Sequence, residues 1–422
     1  MSVNSEVLTR LPGDSSHSIE PTKPAEPKAR GGGLFILLAS LIPLGLLAGM
    51  LALFNFVNPL ALFTAELPPI ESLTIQRINV TEHGFKFSVI NGGPEPVTIA
   101  QVMVDDAYWN FTIEPSASIP RLGEATINVP YPWVEGEPNA LVLLTSTGAT
   151  FEGVVPVATE TPSPGTKEFL AYGLLGVYVG IIPVLLGMLW FPAMKRLGRR
   201  WLAVILALTI GLLFFLLVDT LLEAFEVSAT LPEVYQGVPL TLFAALLTWL
   251  GISAVSTRSA KRASSDPAKQ RLFVSALIAV SIGLHNLGEG LAIGAAFALG
   301  EAALGSFLVI GFTLHNVTEG VGIATPLTKD SPKLWLFALL ALVAGLPASI
   351  GAWIGGFAYS PLLAVIFLGI GVGAIVQVIV EVGRLLLQDA QKEGRPAVSW
   401  ANVGGLAMGI GLMYFTAFFV KF

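Results

Sequence analysis

The chain contains no cysteine, which removes disulfides, thiolate metal sites and cysteine catalysis from consideration. Charge is also sparse. Only 12% of the 422 residues are Asp, Glu, Lys or Arg, and the net charge is −6. Such a balance offers no basic surface for nucleic acid. Histidine is rarer still, with four in the whole chain. What dominates is apolar: 54% hydrophobic residues and a mean hydropathy of +0.74. That composition places the chain among integral membrane proteins, with the lipid bilayer as its main partner.

Residues 1–30 are polar and rich in Pro, Ser and Glu, and read as a disordered cytoplasmic tail. The apolar stretch 31–63 is too long for the core of a signal peptide and reads as an uncleaved signal-anchor helix. Over 64–160 the texture changes. Short β-branched and aromatic runs (72–80, 86–90, 97–104, 109–113, 124–129 and 140–145) alternate with turn residues such as Asn91-Gly92-Gly93-Pro94. This spacing predicts a small antiparallel β-sandwich, immunoglobulin-like, outside the cytoplasm. Residues 161–167, around Thr161-Pro162-Ser163-Pro164-Gly165, read as a linker. Residues 168–422 then carry eight apolar spans, roughly 168–192, 201–221, 239–256, 272–299, 303–327, 334–357, 361–387 and 400–419, most near the length a bilayer requires. The expected fold class is a mainly α membrane protein: an eight-helix bundle preceded by one signal-anchor helix and a small extracytoplasmic β-sandwich.

Positive charge sets the orientation. Lys195, Arg196, Arg199 and Arg200 follow the first of the eight spans, and Arg258, Lys261, Arg262, Lys269 and Arg271 follow the third. Lys329 and Lys333 follow the fifth, and Lys392 and Arg395 the seventh. All lie on one side, with Lys23, Lys28 and Arg30 before the anchor. The other side holds Glu223, Glu226 and Glu233. By the positive-inside rule the N-terminus is cytoplasmic, the β-domain faces outward, and nine spans bring the C-terminus outside, against the mild opposition of Lys421. A plasma membrane is the expected location.

One phrase occurs twice, His-Asn-x-x-Glu-Gly. It reads His285-Asn286-Leu287-Gly288-Glu289-Gly290 and, thirty residues on, His315-Asn316-Val317-Thr318-Glu319-Gly320. Each copy lies in the middle of a membrane-length apolar span, where ionisable groups are costly and point to function. On a helix, His and Glu four apart share a face, and the Asn reaches the same Glu at a spacing of three. Each phrase thus offers an imidazole nitrogen, an amide oxygen and a carboxylate, ligands for a divalent transition metal. The short turn near Gly300 makes the two helices antiparallel neighbours, so the ligand turns face each other. The bland alternative is His–Glu pairing as buried glue. Packing through Gly288, Gly290, Gly294, Gly320 and Gly322 is complementary to a site, since small residues let helices approach.

Other groups carry weaker signals. Asp219 and Glu223, four apart at the outer end of the second span, suit an entrance site for cations or a solvated helix end. Glu381, with Gln377 one turn before it and Arg384 three residues after, suits an exit site or an interfacial ion pair with Arg384. His83 and His17 read as surface residues.

The paired HN-x-x-EG phrases on consecutive spans, with a long basic loop between spans three and four, resemble the ZIP (Zrt/Irt-like) metal transporters, closest to their prokaryotic GufA-like branch. The resemblance covers roughly 168–422. It implies a ZIP-like bundle in which metal crosses at these two helices, with His285, Asn286, Glu289, His315, Asn316 and Glu319 as ligands, often of a two-metal centre. The chain departs from that pattern in three ways. Gly288 and Thr318 stand where the family has Pro, no carboxylate lies near Gly345-Leu346-Pro347-Ala348 to bridge a second metal, and the β-domain is extra. The expected function is transport of a divalent metal ion (zinc, or iron, manganese, cobalt or cadmium) into the cytoplasm. The metal is cargo rather than cofactor, and the protein is not an enzyme. The alternatives are a membrane metal sensor without net flux and an intramembrane metal-dependent hydrolase. No HExxH phrase supports the latter. Such a bundle is compatible with a homodimer, and the β-domain's ligand is open.

Overall fold

The computed structural model describes residues 33–57, 70–163, 165–263 and 266–420. The expected tail with His17, Lys23, Lys28 and Arg30, the end of the anchor, Pro164 of the linker and Lys421 lie outside the described residues. Helix α1 (Gly33–Val57) falls within the expected anchor and forms a unit of its own.

Nine strands follow: β1 (Leu73–Thr81), β2 (Gly84–Asn91), β3 (Val97–Val104), β4 (Ala107–Trp109), β5 (Thr112–Glu114), β6 (Ser118–Ile119), β7 (Glu124–Pro130), β8 (Asn139–Thr145) and β9 (Thr150–Val155). They form two antiparallel sheets, ordered β1-β2-β7-β5 and β4-β3-β8-β9, with β6 added to β3. Alternation drives the arrangement. Phe85, Phe87 and Val89 point inward from β2, Ile127 and Val129 from β7, and Leu141 and Leu143 from β8, and all enter one core. The expected strand 109–113 is two strands. Trp109 pairs with Val102 in one sheet and Thr112 with Asn128 in the other, so the chain changes sheets at Asn110 and Phe111. Strands β6 and β9 were not anticipated.

The helical part comprises α2 (Thr166–Gly176), α3 (Ile182–Met188), α4 (Phe191–Lys195), α5 (Arg199–Ala229), α6 (Gly237–Ala263), α7 (Pro267–Ala298), α8 (Ala302–Ala324), α9 (Leu334–Ala358), α10 (Pro361–Lys392) and α11 (Trp400–Val420). Helices α2 and α3 continue one another through a π-helical turn, Val177–Ile181. Among the described residues seven helical stretches have the length and hydropathy to cross a bilayer, which marks a helical membrane protein. Nine were expected. The described apolar stretches of α1 and α11, Leu41–Phe54 and Trp400–Phe415, are shorter. Among these seven stretches α7 is the most buried and α6 the most exposed. The outward row Leu242, Phe243, Leu246, Leu247 and Leu250 of α6 is what a bilayer would cover.

The expected second span ended near Leu221. Helix α5 instead continues to Ala229, because no breaker intervenes before Pro232. This places Asp219 and Glu223 two to three turns inside the helix, both half-buried, rather than at its end.

Two sets of helices are stitched backbone to backbone. Gly290 of α7 presses on the Ala348 carbonyl of α9, and Gly187 of α3 on the Val317 carbonyl of α8; neither leaves room for a Cβ. Helix α2 joins this set through Ser349, whose Oγ donates to the Gly173 carbonyl (3.1 Å). In the second set, Gly211 of α5 presses on Leu406 of α11, and Gly373 of α10 on Ala245 of α6. Such small-residue approaches are how membrane helices gain van der Waals contact without a hydrophobic driving force.

Candidate metal centre

Asp266 begins the site from a distance. Its carboxylate accepts the Ala268 and Lys269 N–H groups (2.9 and 3.4 Å), and Pro267 occupies the first turn. This cap starts α7. Five turns on, α7 presents His285 and Glu289 on one face. The tight turn at Gly300, with φ of +78°, reverses the chain into α8, which returns His315 and Glu319 to the same depth.

The two phrases do not act alike. His285 Nε2 lies 3.0 Å from Glu289 Oε1, as spacing four requires. His315 Nε2 also meets Glu289 Oε1, in a short contact, rather than its own Glu319. One carboxylate therefore serves both imidazoles. A ligand atom from each of His285, Glu289 and His315 lies within 4.8 Å of the others. All three residues are buried.

The asparagines also depart from expectation, since neither caps the Glu three residues ahead. Asn316 Nδ2 donates to Glu289 Oε2 of the other helix (3.2 Å) and to the Val179 carbonyl (3.0 Å). Val179 sits in the π-helical turn, and the residue four ahead is Pro183, which has no N–H to give. The Asn316 amide gives that carbonyl a side-chain donor. Asn286 Nδ2 donates to the Ala344 carbonyl (3.0 Å) of α9, three residues before Pro347 in that continuous helix. Each amide is anchored by its nitrogen on a carbonyl three or four residues before a proline. Each leaves its Oδ1 buried without a hydrogen-bond donor among the described residues.

Glu319 was expected to join the centre; its oxygens are not among the three converging ligand atoms, although it lies beside the Asn286 side chain and faces Glu289 and both imidazoles. It lines a small cavity between α5, α7, α8 and α11 with His315, Thr209, Ile278, Ile282 and Met413. Both its oxygens are buried, and among the described residues no donor, the neighbouring Asn286 amide included, meets them in full hydrogen-bond geometry. Buried polar atoms are nearly always satisfied, so orphaned oxygens require a cause. Four such oxygens, from Asn286, Asn316 and Glu319, accompany the His-Glu-His cluster. The nitrogen and oxygen donors fit a divalent metal.

Gly288 and Thr318, at the positions compared with Pro, leave α7 and α8 continuous. Thr318 Oγ1 donates to the His315 carbonyl (2.6 Å), satisfying itself locally. The expected exit pair forms a polar node away from the cluster. Glu381 Oε1 accepts from Ser256 Oγ (2.7 Å), Gln377 Nε2 (3.0 Å) and Arg384 Nη1 (3.1 Å), and Ser253 Oγ donates to Gln377 Oε1 (2.6 Å). That node ties α6 to α10, and the ion pair with Arg384 is present. His83 is exposed, as expected.

Sequence reasoning missed Thr220. Its hydroxyl, buried in α5, lies 3.4 Å from His285 Nδ1, the nitrogen facing away from Glu289. A partner on the second ring nitrogen fixes the orientation of a ligating imidazole. The available signal was its place between Asp219 and Glu223. No family model matches the sequence, and no curated protein matches it either.

Proposed function

We propose that the protein carries a divalent transition-metal ion across the membrane into the cytoplasm, as a transporter resembling the ZIP family. The observation that carries this reading is the meeting of two imidazoles on one carboxylate, with four orphaned oxygens beside them, inside apolar helices. Nitrogen and oxygen donors without sulfur suit Zn²⁺, Fe²⁺, Mn²⁺, Co²⁺ or Cd²⁺. The half-buried carboxylates Asp219 and Glu223 of α5 would draw the cation inward from the outer side. At the centre, His285, Glu289 and His315 would replace part of its hydration shell, with the Asn286 and Asn316 amide oxygens completing the set. Glu319 would then receive it in the adjoining cavity. The two stitched helix sets would rock against each other and expose the ion to each side in turn.

The same reading places eight of the helical spans in the transport bundle, α1 before them as anchor, and the β-domain outside the plasma membrane. The sheet orders β1-β2-β7-β5 and β4-β3-β8-β9 support an immunoglobulin-like sandwich.

The test is metal uptake by proteoliposomes holding the purified protein, with Zn²⁺, Mn²⁺, Fe²⁺ and Cd²⁺ compared. Uptake that both Glu289→Ala and Glu319→Ala abolish is the expected result. Metal binding without flux for any of the four ions would overturn transport.

A further inference from the structure

The β-domain sits on the outer end of both helix sets. On one side Gly92, in the β2–β3 turn, abuts Pro232 in the loop between α5 and α6; a Cβ on Gly92 would lie 2.7 Å from the Pro232 Cβ. Leu231 and Pro232 are buried although they lie in a loop. On the other side Thr159 Oγ1 donates to the carbonyl of Gly300 (3.4 Å), the turn that joins α7 to α8. Between these points β1 and β9 face Ala229, Thr230, Leu299 and Glu301 across a cleft.

The chain leaving the domain is also tied down. Val80 N–H donates to Thr161 Oγ1 (2.9 Å) and Thr161 N–H to the Val80 carbonyl (2.8 Å). Helix α2 begins at Thr166, so the expected linker 161–167 shrinks to the few residues 162–165. The domain is therefore leashed to α2, a member of the α7-containing set, while Gly92 rests on the loop of the other set.

We infer that the β-domain is a brace across the two helix sets, and that parting of Gly92 from Pro232 is a required step of each transport cycle. The inference rests on the proposed rocking motion. Rocking changes the distance between the α5–α6 loop and the α7–α8 turn, and a rigid sandwich leashed to one of them cannot follow both. A ligand that gripped the domain in either position would govern uptake from outside.

The absence of cysteine makes the test clean, because introduced thiols have no competitors. In Gly92→Cys/Pro232→Cys the two Cβ atoms are close enough for a disulfide after a shift of about 1 Å. We expect the oxidised double variant to take up Zn²⁺ at least tenfold more slowly than the same protein reduced, while the cysteine-free parent ignores the oxidant. Gly92→Trp, which wedges the contact open, should transport at least as fast as the parent. Undiminished uptake by fully cross-linked protein would overturn the brace and leave transport standing. Absence of flux from the reduced protein and the parent alike would remove transport and the brace with it.

Discussion

Gly187 sets how closely α3 approaches the second ligand turn. A Cβ built there would lie 1.9 Å from the Val317 carbonyl oxygen and 3.0 Å from the Gly320 Cα. Carbon and carbonyl oxygen settle no closer than about 3.3 Å. Gly187→Ala must therefore drive α3 and α8 apart by about 1.4 Å, the difference between that limit and the 1.9 Å approach. Val317 lies between Asn316 and Glu319, so the displacement falls on the ligand turn. Constellations of this kind tolerate about 0.5 Å, and disturbing the groups that orient metal ligands costs about 10–100-fold in affinity. We expect Zn²⁺ affinity, measured by titration calorimetry in detergent, to fall by about 10–100-fold. The overpacking should cost about 1–3 kcal/mol of stability, read as a lower melting temperature. The control is Gly404→Ala in α11, where a Cβ meets nothing within 4 Å. It should melt no lower than the parent, because Ala is favoured over Gly in a helix by about 1 kcal/mol. A folded Gly187→Ala protein with parental affinity would refute the view that this helix approach positions the ligands.

Further outcomes follow from the same geometry. Glu289→Gln keeps the size of the side chain and removes the charge that serves both imidazoles, so calorimetric Zn²⁺ binding should fall on the order of a hundredfold or more, the scale of an unpaired charge loss in a buried site; near-parental affinity would count against Glu289 as the central ligand. Asn316→Leu leaves the Val179 carbonyl without its donor and should destabilise the protein by about 1–3 kcal/mol in thermal melts. In the β-domain, burial raises the Asp105 carboxyl, but the Ala140 N–H, the Asn139 amide and the Tyr131 hydroxyl outweigh it and hold it below the usual carboxylate value. A depressed folded value means stability that is present above the unfolded pKa, near 4, and lost as pH falls through the folded one. Asp105→Asn should therefore flatten the acid limb of the β-domain's melting curve below about pH 4. Arg384→Ala should cost less than about 1 kcal/mol, because its ion pair is exposed and Glu381 keeps the Ser256 and Gln377 donors.

The repeated phrase made the site legible in the sequence, since two ligand turns on consecutive apolar spans point to one place. Helical spacing correctly joined His285 to Glu289. It failed for His315 and Asn316, whose partner is on the other helix, because a period describes one helix and says nothing about how two are rotated against each other. The same limit hid Thr220, a neutral residue whose role depends on which helix α5 faces. The π-helical turn at Val177–Ile181 has no apolar period of its own, so its link to Asn316 could not be read. Strand β9 went unread because Gly153 interrupts the alternation, and β6 is only two residues long. Gly and Pro marked most turns, whereas the end of α5 was misjudged because polar residues were taken for a helix terminus.

The bond from Asn316 to Val179 also bears on how the chain assembles. Pro183 has no N–H to give to the ladder of α2 and α3, and in the turn before it a side chain from a helix more than a hundred residues later donates to the Val179 carbonyl. Until α8 arrives in the correct rotation and depth, that carbonyl lacks this donor, and the bilayer interior penalises a polar group left without a partner by several kcal/mol. A slip of α8 by one residue would turn the amide away and leave the penalty unrelieved. The first span of the bundle therefore carries a built-in check on the register of a helix synthesised much later, and the ligand turn reaches its place by passing it.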